Sequence, residues 1–234
     1  MQAIIVAAGE GRRLRSVIND RPKAMLEIQG QSLITRSVDH LMEAGITDIA
    51  VVVGYRRKML IQHLEGFPIT FYHNPAFATN NNMASLAYAL PHIKDDFIYL
   101  HSDLIYDGQL LQMLINCPHP NTLLVEQKPC EAEDMKVRVE SGRLVESSKD
   151  IPLQAAFGEW TGIAKFNPTF AEALAHKINT LVGQGNRMAY DTLAFTELVE
   201  EGDPIDILPF TGLPWVEIDT PEDLQRAREL FETG

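Results

Sequence analysis

With 234 residues, 45% of them hydrophobic, the chain is long enough for one large α/β domain or two small ones with a full core. A net charge of −12 repels nucleic acid and anionic membranes at long range, so neither is expected as a partner. No apolar run approaches a membrane span, no basic-then-apolar leader is present, and Cys117 and Cys130 form no CxxC pair, which together give the expectation of a cytoplasmic protein with reduced thiols.

Residues 3–6 are apolar and β-branched and read as a buried strand. The strand runs through Ala7 and Ala8 into Gly9-Glu10-Gly11-Arg12-Arg13-Leu14. A strand that ends in a glycine turn presents backbone N–H groups to an anion, and the glycines let a phosphate approach. Arg12 and Arg13 add guanidinium forks suited to phosphate oxygens, and Lys23, stiffened by Pro22, adds a compact charge from the other side. Two glycines alone fit an ordinary polar loop equally well. Neither common phosphate fingerprint fits: Leu14 stands where a dinucleotide fold has its third glycine, and no Gly-Lys-Ser/Thr follows. Arg12, Arg13, Arg15, Arg21 and Lys23 together make a basic region in an acidic chain.

Beyond it, residues 32–44 have helical spacing and end at Gly45, 48–53 read as a strand, 57–64 as a helix and 69–72 as a strand. This βαβαβ alternation implies parallel strands with right-handed crossovers. A loop over 73–82 leads to a helix over 83–90, a strand over 96–101, a helix over 107–115 and a strand over 122–126. Residues 136–139 and 143–147 flank Ser141-Gly142 as a hairpin. An extended segment over 156–166, helices over 168–181 and 190–200, and strands over 205–208 and 215–218 complete the body. Thr220, Pro221 and Asp223 open the last helix with a capping-box pattern.

Asp103 and Asp219 are the acidic candidates. Each follows a strand, and ligands of open α/β sheets collect beyond the carboxyl ends of strands. A carboxylate beside a phosphate site repels it unless a cation stands between, and Mg²⁺ is the usual cation; each aspartate alone also fits a turn or cap. Asn81, Asn82 and Ser85 offer paired donors and acceptors suited to a pyrimidine edge or a ribose. Glu159, Trp160, Tyr190 and Asp191 pair acids with aromatic rings, the means of holding a cationic head, and fit core packing as well. His63, His73, His101 and His119 show no HxH or HxxxH spacing, so no zinc site is expected, and His101 reads as a strand-end residue rather than a base.

The opening stretch resembles the signature of the nucleotidyltransferases that make nucleoside-diphosphate sugars and CDP-alcohols. The resemblance implies a three-layer, Rossmann-like α/β fold, with a mainly parallel twisted sheet flanked by helices and a small antiparallel β insertion, in one nucleotidyltransferase domain over residues 1–234. It implies that Ala7, Ala8, Gly9, Gly11, Arg12 and Arg13 wrap a triphosphate, that Lys23 offsets charge on the reacting phosphates, and that Asp103 and Asp219, the latter within Glu-Ile-Asp-Thr-Pro-Glu-Asp-Leu, bind Mg²⁺. Asn81-Asn82-Met83-Ala84-Ser85-Leu86 is similar to the corresponding stretch of phosphocholine and 2-aminoethylphosphonate cytidylyltransferases. That likeness implies CTP as nucleotide and a small phosphate or phosphonate as acceptor, with Glu159, Trp160, Tyr190 and Asp191 toward the acceptor's amine. Met83 and Ala84 stand where the phosphocholine relatives have bulkier residues, which favours a primary amine or another small phosphonate over a quaternary amine. A sugar-1-phosphate nucleotidyltransferase using UTP or dTTP, and a catalytically silent nucleotide-binding domain, are the competing expectations; a homodimer is left open.

Overall fold

Alternate residues of the first strand belong to different cores, and that split organises the molecule. In the computed structural model, which describes residues 1–232, β1 (Gln2–Ala7) sends Ile4 and Val6 to one face and Ala3, Ile5 and Ala7 to the other. Both faces are covered, so the strand reads as a continuous apolar run.

After α1 (Arg15–Ile18) and the short hairpin β2 (Glu27–Ile28) and β3 (Gln31–Ser32), the chain alternates α2 (Leu33–Glu43), β4 (Asp48–Val53), α3 (Arg57–His63) and β5 (Ile69–His73). Ser32 caps α2 by accepting from the Thr35 N–H. Next come α4 (Asn82–Leu86), β6 (Phe97–His101), β7 (Leu104–Tyr106), α5 (Gly108–Asn116) and β8 (Thr122–Glu126). The helix expected over 83–90 is one short turn followed by a tighter turn at Leu90–His92, with Pro91 inside it. The hairpin β9 (Lys136–Glu140) and β10 (Arg143–Ser148) precedes β11 (Gly158–Phe166), α6 (Pro168–Gly183), α7 (Asp191–Glu201), β12 (Asp206–Phe210), β13 (Trp215–Glu217) and α8 (Pro221–Glu232).

Nine strands form one sheet in the order β5-β4-β1-β6-β11-β8-β12-β10-β9. The β5-β4-β1-β6 half is parallel, as the alternation requires. The other half is mixed, because β11 runs antiparallel to both β6 and β8. The antiparallel part therefore extends beyond the hairpin: β11 follows β9 and β10 without a crossover helix, so it enters from the opposite end. Helices α4, α6 and α7 cover one face, and α2, α3 and α5 the other. A satellite core of Leu14, Ile18, Ile28, Ile105, Val216, Ile218 and Leu224 lies beneath the opening loop. Leu14 is fully buried there, which explains why a leucine follows the glycine turn: this loop is pinned by an apolar anchor. Among the described residues no helix is long and apolar enough to cross a membrane.

Candidate active site

β1 lies between β4 and β6, and all three end on the same edge. At that edge Gly11 takes the left-handed conformation, φ +59°, and a Cβ there would come within 3.0 Å of Lys23 Cβ. The glycine thus lets the loop fold over the lysine stem. Pro22 starts the tight turn Lys23–Met25, and Leu26 N–H closes it on Lys23 O.

β7 follows Asp103 directly, and β13 pairs with it antiparallel, Glu217 opposite Leu104. The ladder continues as Ile218 N–H donates to Asp103 O at 2.9 Å. Asp219 is then held by the capping box of α8, where Asp223 accepts from the N–H groups of Asp219 and Thr220 and Thr220 Oγ1 accepts from Asp223 N–H. Two carboxylates 116 positions apart in sequence (219 − 103) thereby meet at Lys23. Its Nζ lies 2.7 Å from Asp103 Oδ2 and 2.5 Å from Asp219 Oδ1. Burial opposes the charge on Lys23, but Asp103 and Asp219 outweigh it and hold the ammonium above the usual lysine range. Burial likewise opposes the charge on Asp103, and Lys23 and His101 overcome it, keeping the carboxyl below its ordinary value.

A cleft of about 280 Å³ opens over this group. Ala7, Ala8, Gly9, Gly11, Arg12, Arg13, Lys23, Asn81, Asn82, Ser85, Asp103, Tyr190 and Asp219, all singled out from sequence, line it. A Cβ on Gly9 would meet nothing within 4 Å, so the room beside it is open to a ligand. The basic region is charge-compensated rather than free. Arg12 and Arg15 share Glu10, Arg13 reaches Asp219 Oδ2 at 2.5 Å, and Arg21 lies 3.8 Å from Glu27.

The amide cluster is largely committed to protein. Asn81 caps α4 through its Oδ1 and donates to Met188 O. Ser85 Oγ accepts from buried Asn74 Nδ2 at 2.9 Å. Asn82 Oδ1 accepts from the N–H groups of Met83 and Asp191. Asn80 lines the same cleft with its amide uncommitted among the described residues, and sequence reading passed over it within the asparagine run.

The four acceptor-side residues do not form one pocket. Trp160, Tyr190 and Asp191 border a small cavity next to the cleft, whereas Glu159 faces a separate, larger one. Tyr190 is 42% exposed, with Lys149 Nζ 5.6 Å from its ring centre. Trp160 is buried and donates to Ile163 O. Asp191 is fully buried, accepting from Tyr99 OH at 2.5 Å and from Thr192 N–H, with His101 Nε2 at 3.0 Å. It therefore supports the site from behind. Glu159 pairs with Lys128 at 2.6 Å, and burial, outweighing that lysine, pushes its carboxyl up to about 7. Met83 and Ala84 are core residues and do not line the small cavity bordered by Trp160, Tyr190 and Asp191.

Two residues gain importance. His101 and Glu217 both line the cleft, with His101 Nδ1 3.7 Å from Glu217 Oε1. Burial opposes charge on His101, and Asp191 reverses that and holds the imidazolium well above its ordinary range. The sequence signal was spacing: His101 and Asp103, like Glu217 and Asp219, are two apart at a strand end, which sends both side chains to one side.

Residues 3–190 match the MobA-like NTP transferase domain family. A UTP–glucose-1-phosphate uridylyltransferase of Haloferax volcanii is 31% identical over 99% of this chain and 97% of its own. A CTP:phosphoglutamine cytidylyltransferase of Campylobacter jejuni is 27% identical over 96% of this chain and 98% of its own. A CMP-5'-(3-aminopropyl)phosphonate synthase of Streptomyces rubellomurinus is 24% identical over 97% of this chain, which spans 38% of that protein. The solved CTP:phosphocholine cytidylyltransferase of Streptococcus pneumoniae superposes with a TM-score of 0.82 at 22% identity, covering 98% of each chain, and shares the fold. The chain thus belongs to the MobA-like NTP transferase domain family and is a nucleotidyltransferase.

Proposed function

We propose that the enzyme transfers CMP from CTP to a small phosphate or phosphonate, such as 2-aminoethylphosphonate or a phosphocholine-like acceptor, and releases pyrophosphate. The observation that carries this is Lys23 held between Asp103 and Asp219 at the mouth of the glycine turn. The acceptor oxygen attacks the α-phosphorus in line while the bond to the pyrophosphate oxygen breaks. Lys23 meets the charge that develops on the α-phosphate, and the N–H groups around Gly9 and Gly11, with Arg12 and Arg13, hold the β- and γ-phosphates. The acceptor oxygen is already ionised and needs no general base. The amides of Asn80, Asn81 and Asn82 and the hydroxyl of Ser85 border the space for cytosine and ribose.

A magnesium ion fits the donor set. Asp103 Oδ1 is buried without a hydrogen-bond partner, an arrangement that suits a hard cation. Asp103 and Asp219 would hold the ion, which would supply positive charge against the phosphates; Lys23 and Arg13 are the side chains paired with those carboxylates. Glu159, Trp160, Tyr190 and Asp191 are proposed to shape the acceptor side, Asp191 indirectly through His101 and Asn82. The CTP:phosphoglutamine cytidylyltransferase and the CMP-phosphonate synthase among the relatives support CTP.

A second reading, uridylyl transfer to a sugar 1-phosphate, is favoured by the relative of 31% identity. A screen separates the two. CTP, UTP or dTTP is mixed with Mg²⁺ and phosphocholine, phosphoethanolamine, 2-aminoethylphosphonate or glucose 1-phosphate, and products are read by mass spectrometry. A CMP adduct with pyrophosphate is expected; a UMP–sugar product would replace the cytidylyl reading, and no pyrophosphate in any pairing would mark a silent domain.

A further inference from the structure

The small cavity beside the cleft, bordered by Trp160 and Asp191, has a volume of about 50 Å³, room for a few waters at most. Glu217 and Asp219 line both it and the cleft. Met135, Lys149 and Tyr190 border it too, and the same three side chains line a second cavity of about 490 Å³ where β10 meets the start of α7. That volume falls within the range of about 300–1,000 Å³ usual for small-molecule sites. Two of the shared side chains are held weakly. Lys149 Nζ lies 5.6 Å from the Tyr190 ring centre and 3.5 Å from the exposed Glu133 carboxylate, and contacts of this solvated kind contribute little. The lysine and the ring can therefore part.

The larger cavity has a definite chemistry. Met135, Ala189 and Leu193 give it apolar surface. Ser147 also lines it, and the Ser147 Oγ is buried with no hydrogen-bond partner among the described residues. Thr196 Oγ1 accepts from the Ser147 N–H at 3.1 Å, and its own proton meets no acceptor among the described residues. Two hydroxyls with unused protons call for an acceptor such as a carbonyl oxygen. Asp150 at the same cavity disfavours a carboxylate there.

We propose that this chamber seats the far end of the acceptor, and that the preferred acceptor is a phosphate or phosphonate whose uncharged arm of several carbons ends in an amide or another carbonyl group. The inference rests on the reading that the acceptor lies beside Trp160, Tyr190 and Asp191, and is independent of which nucleotide is used. With the phosphorus near Asp219, the arm runs through the small cavity and passes between Lys149 and Tyr190. Its carbonyl then accepts from Ser147 and Thr196, while Met135 and Leu193 cover its methylenes. An aminoethyl arm occupies the small cavity alone and leaves the chamber unused.

The test compares phosphoethanolamine with its N-butanoyl amide as acceptors for the full chain, with Mg²⁺ and with CTP or UTP, each adduct being read by mass spectrometry. The amide should be favoured in kcat/KM by about tenfold or more. Leu193→Trp, which fills the chamber, should lower that preference by about tenfold or more, and Ser147→Ala by about threefold or more. Circular dichroism melts verify folding, and Ala189→Phe serves in place of Leu193→Trp if the latter does not fold. Calorimetric titration with the same two acceptors reads the same preference without turnover. A wild type that favours phosphoethanolamine, or a preference for the amide that survives both Leu193→Trp and Ser147→Ala, would overturn the chamber and leave cytidylyl transfer standing. A preference that depends on Leu193 and Ser147 in an enzyme that forms UMP adducts, or no CMP adduct at all, would uphold the chamber and remove the cytidylyl reading alone.

Discussion

Lys23 balances two carboxylates that would otherwise repel each other at the mouth of the cleft. Lys23→Ala is expected to lower turnover by about a hundredfold or more, measured as pyrophosphate release, because it removes charge aimed at the reacting phosphate. It should also lower the melting temperature of the ion-free protein, and added divalent ion should restore part of the loss, since another cation can then meet Asp103 and Asp219. A melting curve unchanged by the mutation would show that the pair does not need the lysine. Glu159 gives a pH test. Its carboxyl sits near 7 in the fold and near 4.5 when unfolded, so the fold binds more proton between those values. The stability this lends is full below the lower value and is lost as pH rises through the upper one, a change on the order of 3 kcal/mol. Wild type should therefore lose stability relative to Glu159→Gln from about pH 4.5 to 8, and parallel melting curves would contradict the buried carboxyl. Sequence marked Lys23, Asp103 and Asp219 because each sits at a strand end or tight turn of recognisable type. It did not show that Asp191 is spent on Tyr99 and His101, since those partners are set by packing between distant elements, nor that Arg12 turns back to Glu10 within its own loop.

The element that builds the centre is the two-stranded β7–β13 ladder, which brings Asp103, just before β7, against Ile218, just after β13 and next to Asp219. The capping box of α8 was readable because Thr220, Pro221 and Asp223 act locally. β7 was not: three apolar residues directly after a strand carry no period long enough to separate a new element. The direction of β11 was equally hidden, because alternation reveals a strand but not which neighbours it joins. Within β11, the pairing with β8 shifts register between Trp160 and Ala164, and Gly162 lies in that irregularity with its positive φ against His101. Gly162→Ala should destabilise the fold by about 1–3 kcal/mol, read from the urea midpoint, because alanine meets both the strained backbone and the imidazole. A neutral effect would mean that His101 can move away freely.

Across the whole molecule, an acidic chain of net charge −12 pairs the basic residues of its opening loop with its own carboxylates. The parallel half of the sheet supplies the edge on which the glycine turn, Asp103 and the asparagine loop meet, and the C-terminal strand and helix bring Asp219 to them. That broad layout followed from βαβ alternation, whereas the setting of Glu159, Trp160, Tyr190 and Asp191 remained illegible because they come from β11 and the start of α7, whose arrangement no local pattern encodes. The most direct measurement is a crystal structure of the protein with a non-hydrolysable CTP analogue and a divalent ion. The expected result is triphosphate over residues 9–13, the α-phosphate beside Lys23, an ion on Asp103, and the cytosine edge against the amides of residues 80–82. Nucleotide seated elsewhere, or Lys23 still bound between Asp103 and Asp219 with the α-phosphate out of its reach, would contradict it.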